Sequence, residues 1–195
     1  MYRHGHIGIA LLFLAPISYA LILRNQIALA GLLTLGILII EPLPDNDHWI
    51  PGLSHRGVSH SLLAAGIVGL LCAGFGWLLG RYLTVPFAHW LQATILPVTK
   101  VSAIAIMTEQ LATLTPGTLV GLGFIVGFLG ICVHLAGDII TVSGIQPYLP
   151  FSRQRISLTN LRAASTLANT VFLLLGLLAM GTVIFALSPL AGAFP

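Results

Sequence analysis

An all-α membrane bundle of about five transmembrane helices is the fold the sequence predicts, and three observations lead to it. The 195-residue chain is 57% hydrophobic and 7% charged, whereas soluble domains carry about 25% charged residues. Its apolar residues gather into five runs that approach or exceed the roughly 20 residues a helix needs to cross the hydrocarbon core. Its few ionisable side chains gather between those runs, mostly in four short stretches. The net charge of +3 comes from eight basic and five acidic residues. With no basic run, this excludes a nucleic-acid-binding surface.

The expected spans are about 5–23, 26–40, 57–80, 117–140 and 167–187, in one integral-membrane domain covering 1–195. The first stops at Arg24-Asn25 and the second at "EPLPDNDH". The third begins near Gly57 and stops at Gly80-Arg81. Residues 82–116 read as an amphipathic or re-entrant connection. Pro86, His89, Pro97, Lys100 and Glu109 interrupt that segment, and a lysine at the centre of a span costs about 2.5–3.5 kcal/mol. Cys72 and Cys132 lie within apolar runs and read as packing residues. Gly121, Gly123, Gly127 and Gly130 read as helix-packing positions.

The four polar stretches are "RHGH" (3–6), "EPLPDNDH" (41–48), "HRGVSH" (55–60) and "HLAGD" (134–138). With five spans, the start of the first, the end of the second, the start of the third and the end of the fourth share one membrane face. A sixth span within 82–116 would send "HLAGD" to the other face. Ionisable groups at membrane depth are functional candidates, and imidazole with carboxylate is the ligand set of zinc and similar divalent ions.

His134 and Asp138, spaced i, i+4, share a helix face. Asp45 and Asp47 follow Pro42 and Pro44 and approach from a loop, and His60 is expected in the first turns of the third helix. With His6, these give the candidate metal ligands His6, Asp45, Asp47, His60, His134 and Asp138. They exceed the needs of one tetrahedral ion, so one or two ions, zinc or else manganese, are expected. A pair about 3.5–4 Å apart activates water near neutral pH and stabilises a leaving oxygen, the equipment of phosphoester hydrolysis. The expected assignment gives Asp47, His60, His134 and Asp138 to one ion, and His6, Asp45 and Asp138 to a second.

Arg56, Arg153 and Arg155 carry the planar fork that suits phosphate, and His55 is a candidate proton donor to the leaving group. Each has a plainer reading. His134 and Asp138 would also serve as a hydrogen-bonded pair, Asp45 and Asp47 as a turn, Glu41 as a helix-end charge or a partner for a histidine, and Arg153 and Arg155 as positive-inside anchors.

The stretches "LPDNDH", "HRGVSHSLLA" and "HLAGDIITVSGIQPYLPFSRQRISL", with an early "GH", resemble the LexA-binding, inner-membrane-associated hydrolase family, also described as membrane-bound metal-dependent hydrolases. Order and spacing agree over about residues 4–160, with Ser59 where threonine is common and a longer 82–116 connection. The resemblance implies roles for His6, Asp45, Asp47, His48, His55, Arg56, His60, His134 and Asp138, with Thr141 and Gly144 following. A weaker likeness links "HLAGD" to the His-any-any-any-Asp helix of zinc-dependent phospholipase C, although later ligands of a third zinc are not evident.

The expected function is therefore metal-dependent hydrolysis of a phosphoester in a lipid or lipid-linked substrate, with membrane lipid as the partner and no nucleic acid. A divalent-metal transporter or sensor and a non-catalytic interaction protein are the alternatives. Transporters usually hold ions near the midplane, in broken helices or repeats, which this sequence does not show. The site-bearing side carries Arg3, Arg56, Arg153, Arg155 and Arg162, against Arg24, Arg81 and Lys100 opposite. That bias puts the cluster on the cytoplasmic side of the inner membrane.

Overall fold

The computed structural model describes residues 1–49, 57–94 and 102–186. Their secondary structure is helical: α1 (Arg3–Leu23), α2 (Ile27–Ile40), α3 (Leu62–Tyr82), α4 (Thr84–Thr94), α5 (Ser102–Thr113), α6 (Pro116–Ile139) and α7 (Thr166–Ala186), with 3₁₀ turns at Pro44–Trp49 and Val58–His60. Among the described residues there are isolated bridges but no strand. Five segments are long and apolar enough to cross a membrane: Arg3–Leu23, Ile27–Asp47, Leu62–Tyr82, Pro116–Ile139 and Thr166–Ala186. The 82–116 connection contains α4 and α5, of 11 and 12 residues, both too short to span.

The central element is α6, which packs against α1, α2 and α3. Its apolar window is 44% buried, against 17% for α3 and for α7, so α6 forms the interior while α3 and α7 expose most of their surface. Lipid does not drive apolar helices together, so close approach rests on small residues. A Cβ on Gly127 of α6 would lie 2.6 Å from the Val68 carbonyl oxygen of α3, and one on Gly8 of α1 would collide with the Phe172 backbone of α7. Gly121, expected among the packing positions, instead has open space where its Cβ would be.

The turn between α1 and α2 ends the first helix in a Schellman arrangement. Gln26 N–H donates to Leu21 O at 2.9 Å, and Asn25 N–H donates to Ile22 O at 2.8 Å. Asn25 takes φ = 56°, a left-handed conformation that asparagine tolerates. Gln110 of α5 then clasps this turn: its Nε2 donates to Asn25 O, and its Oε1 accepts from Ala28 N–H at 2.9 Å. The second bond satisfies an orphan donor in the first turn of α2. Gln110→Ala is expected to lower stability by about 1 kcal/mol while leaving the opposite, site-bearing end intact. Thermal unfolding in detergent, run beside metal binding, checks both.

The start of α3 corrects one expectation. His60 lies in the 3₁₀ turn just before the helix, because Ser61 is the N-cap, with φ −128° and ψ 161°. Its Oγ accepts from Ala64 N–H at 3.2 Å and donates to Val58 O at 2.6 Å.

Beyond α6, the segment before α7 folds back on its own helix end. Ile145 and Ile156 exchange backbone hydrogen bonds of 3.0 and 2.9 Å, and Val142 N–H donates to Leu161 O at 2.8 Å. Gly144 makes the turn at φ = 57°, where a Cβ would collide with the Ile156 carbonyl. Leu62 N–H donates to Pro147 O at 2.9 Å, tying this segment to the start of α3.

Candidate metal centre

The site is built at one end of the bundle from four segments. His6 comes from the first turn of α1, and Glu41, Asp45 and Asp47 from the end of α2 and the turn after it. His60 stands ahead of α3, and His134 and Asp138 lie one turn apart near the end of α6. His6, Glu41, Asp47, His60, His134 and Asp138 are each at most 2% exposed. The Asp45 side chain is 42% exposed and forms the open edge. His55 and Arg56 lie outside the described residues, and so does the side chain of His48.

Hydrogen bonds fix the tautomers of two histidines. His134 Nδ1 lies 3.0 Å from Glu41 Oε1, and a carboxylate only accepts, so Nδ1 carries the proton. Ser59 Oγ donates to Asp47 Oδ2 at 2.9 Å. That uses its one proton, so the Ser59 oxygen accepts from His60 Nδ1–H at 3.1 Å. In the neutral form both imidazoles are thus left with a bare lone pair on Nε2.

Those lone pairs face one another. His134 Nε2 and His60 Nε2 are 3.3 Å apart. Asp45 Oδ1 lies 3.4 Å from His60 Nε2 and 3.5 Å from His134 Nε2. Asp138 Oδ2 is 3.7 and 3.8 Å from the same two atoms. With both imidazoles neutral these atoms have no proton to offer, and those of Asp45, His60 and His134 form one candidate ion-holding group, with Asp138 Oδ2 close to both Nε2 atoms. Ligands held about 2.0–2.2 Å from a tetrahedral zinc stand roughly 3.3–3.6 Å from each other, so the donors present fit a divalent ion. Buried carboxylates are ordinarily paired or metal-coordinating, and here the buried Asp138 and the partly exposed Asp45 both face the two Nε2 atoms.

The donors fall into two groups of three, Asp45–His60–His134 and His6–His134–Asp138. In the second, His6 and His134 stack with centroids 4.2 Å apart and an interplanar angle of 4°. A nitrogen lone pair lies in the plane of its ring, and one ion cannot lie in two parallel planes. The first group, with Asp138 Oδ2, is therefore the better single-ion site. His6 Nε2 instead faces Asp138 Oδ1 at 3.5 Å, an oxygen that also accepts from the Met1 amino group at 2.9 Å. Neither ring nitrogen of His6 makes a hydrogen bond among the described residues.

Asp47 stands apart from the other expected ligands. It lies on the Nδ1 side of His60, 3.7 Å away, and belongs to neither donor group. Its place is behind the histidine, where it orients the ring through Ser59. Arg153 and Arg155 are exposed on the segment after α6, along with Phe151. The sequence offered Glu41 as a helix-end charge or a partner for a histidine, with no role for Ser59, and the structure places Glu41 against His134. The signal for Glu41 was a lone acid directly after the apolar run of α2.

A sequence model of the YdjM inner membrane protein family matches residues 1–193. Neither the curated proteins nor the solved structures contain a match.

Proposed function

The chain belongs to the YdjM inner membrane protein family, and from that premise we propose that it is a membrane-embedded, metal-dependent hydrolase of phosphoesters in lipid or lipid-linked substrates. The observation that carries this reading is the convergence of His60 Nε2, His134 Nε2, Asp45 Oδ1 and Asp138 Oδ2 on one point. Zinc is the ion best suited to that set, with manganese second. A divalent ion so held supplies a water of lowered pKa and positive charge for an anionic transition state.

The chain's own residues do the rest. Asp47 and Ser59 hold His60, and Glu41 holds His134, each with its proton on Nδ1. The partly exposed Asp45 marks the open edge where substrate enters. Arg153 and Arg155, with Arg56 from the "HRGVSH" motif, are assigned to the substrate phosphate, and His55 to protonation of the leaving group. The arginine bias supports a cytoplasmic placement of the site. Donors gathered at span ends favour an enzyme over a transporter.

The test is hydrolysis of a panel of phospholipids and soluble phosphoesters by detergent-purified protein, with zinc, with manganese and after chelation. Metal-dependent release of product that chelation abolishes supports the reading. No hydrolysis with either metal across the panel contradicts it. The double variant Arg153→Ala/Arg155→Ala is expected to keep its metal and to bind substrate more weakly, seen as a raised KM on anionic and zwitterionic phospholipid vesicles alike, because both carry the phosphate the arginines are assigned to.

A further inference from the structure

Glu41 is a carboxylate only 1% exposed, and the mechanism above gives it just one of the two contacts it makes. It directly follows α2, held in helical register by its N–H donating to Ile37 O at 2.8 Å. Its Oε1 lies 3.0 Å from His134 Nδ1 and 3.4 Å from His6 Nδ1. One oxygen thus faces the same nitrogen of two imidazoles, one from α1 and one from α6, which stack on each other at 4.2 Å.

The stack depends on Gly137, where a Cβ would collide with the His6 ring. With both Nδ1 atoms turned to Glu41, both Nε2 atoms turn to Asp138. They address different oxygens, His6 facing Oδ1 at 3.5 Å and His134 facing Oδ2 at 3.8 Å. Parallel rings 4.2 Å apart present two Nε2 atoms in two planes, at a separation near the 3.5–4 Å at which paired ions are held.

We propose that Glu41 is a positioning residue that aligns His6 and His134 as a stacked pair, so that each serves a different one of two ions bridged by Asp138. The proposal rests on the metal-centre reading and adds the second ion and the residue that organises it.

The test compares wild type, Glu41→Gln and Glu41→Leu in detergent, measuring zinc per chain and zinc affinity by chelator competition. Wild type is expected to hold two zinc ions. The glutamine oxygen still accepts from Nδ1–H, so Glu41→Gln should weaken zinc about 10-fold and Glu41→Leu about 100-fold, the range for loss of a ligand's hydrogen-bond partner. A residue that merely packs would rank them the other way, because leucine fills the space without burying an amide. If Glu41→Leu does not fold, the roughly 10-fold loss in folded Glu41→Gln remains the test. One zinc per wild-type chain, or unchanged affinity in the variants, overturns the proposal and leaves the single-ion centre standing. Wild type that binds no zinc overturns the metal-centre reading itself.

Discussion

Replacing His134 by alanine is expected to abolish zinc binding and to cut phosphoester hydrolysis by well over 100-fold. Losing a ligand's hydrogen-bond partner alone costs about 10–100-fold in affinity or activity, and His134 is itself a donor. Its Nε2 faces His60, Asp45 and Asp138, its Nδ1 holds Glu41, and its ring supports His6. The variant leaves acids gathered around an imidazole-sized void. Metal content and turnover, measured on protein that remains monodisperse in detergent, check this. Wild-type turnover in His134→Ala would remove the hydrolase proposal.

The second large effect lies in the packing that holds the donors together. Gly127→Ile is expected to destabilise the bundle by about 3 kcal/mol or more and to lose metal with it. Overpacking usually costs about 1–3 kcal/mol, and here the new side chain meets the α3 backbone at Val68 and Gly69, which cannot rotate away. Separating α3 from α6 also separates His60, just ahead of α3, from His134 and Asp138. Gly121→Ala is the control. It lies on the same helix with open space at its Cβ, and should unfold and bind zinc as wild type does. Thermal unfolding of the two variants in detergent, beside zinc content, decides the matter.

The bundle was legible because lipid imposes a length and a composition on each span, and five such runs stand out in the sequence. Parity along the chain then brought the four polar stretches to one face, and the structure brings together His6, Asp45, His60, His134 and Asp138 there. The i, i+4 spacing of His134 and Asp138 was enough to place both on one face of α6.

Roles within the cluster were less legible, because they depend on which atom of a ring faces which neighbour. Asp45 and Asp47 are two residues apart and chemically identical, yet Asp45 faces Nε2 of His60 and Asp47 faces Nδ1. The 3₁₀ geometry of Pro44–Trp49 makes that difference, and it carries no pattern in sequence. Glu41 gave a weak signal for a related reason. An acid at a helix end is ordinarily an interfacial charge, and its burial against His6 and His134 comes from tertiary packing. The packing of α4 against α5 was obscured by the polar residues and prolines that mark 82–116. Docking through Gln110 onto the α1–α2 turn is a single side-chain contact that no periodicity reports.

The most direct test of the metal centre is X-ray absorption at the zinc edge on wild-type protein dialysed against zinc. The expected result is bound zinc surrounded by nitrogen and oxygen at about 2.0–2.2 Å, including histidine imidazole and no sulfur. Protein that retains neither zinc nor manganese, or a shell containing sulfur from Cys72 or Cys132, would contradict it.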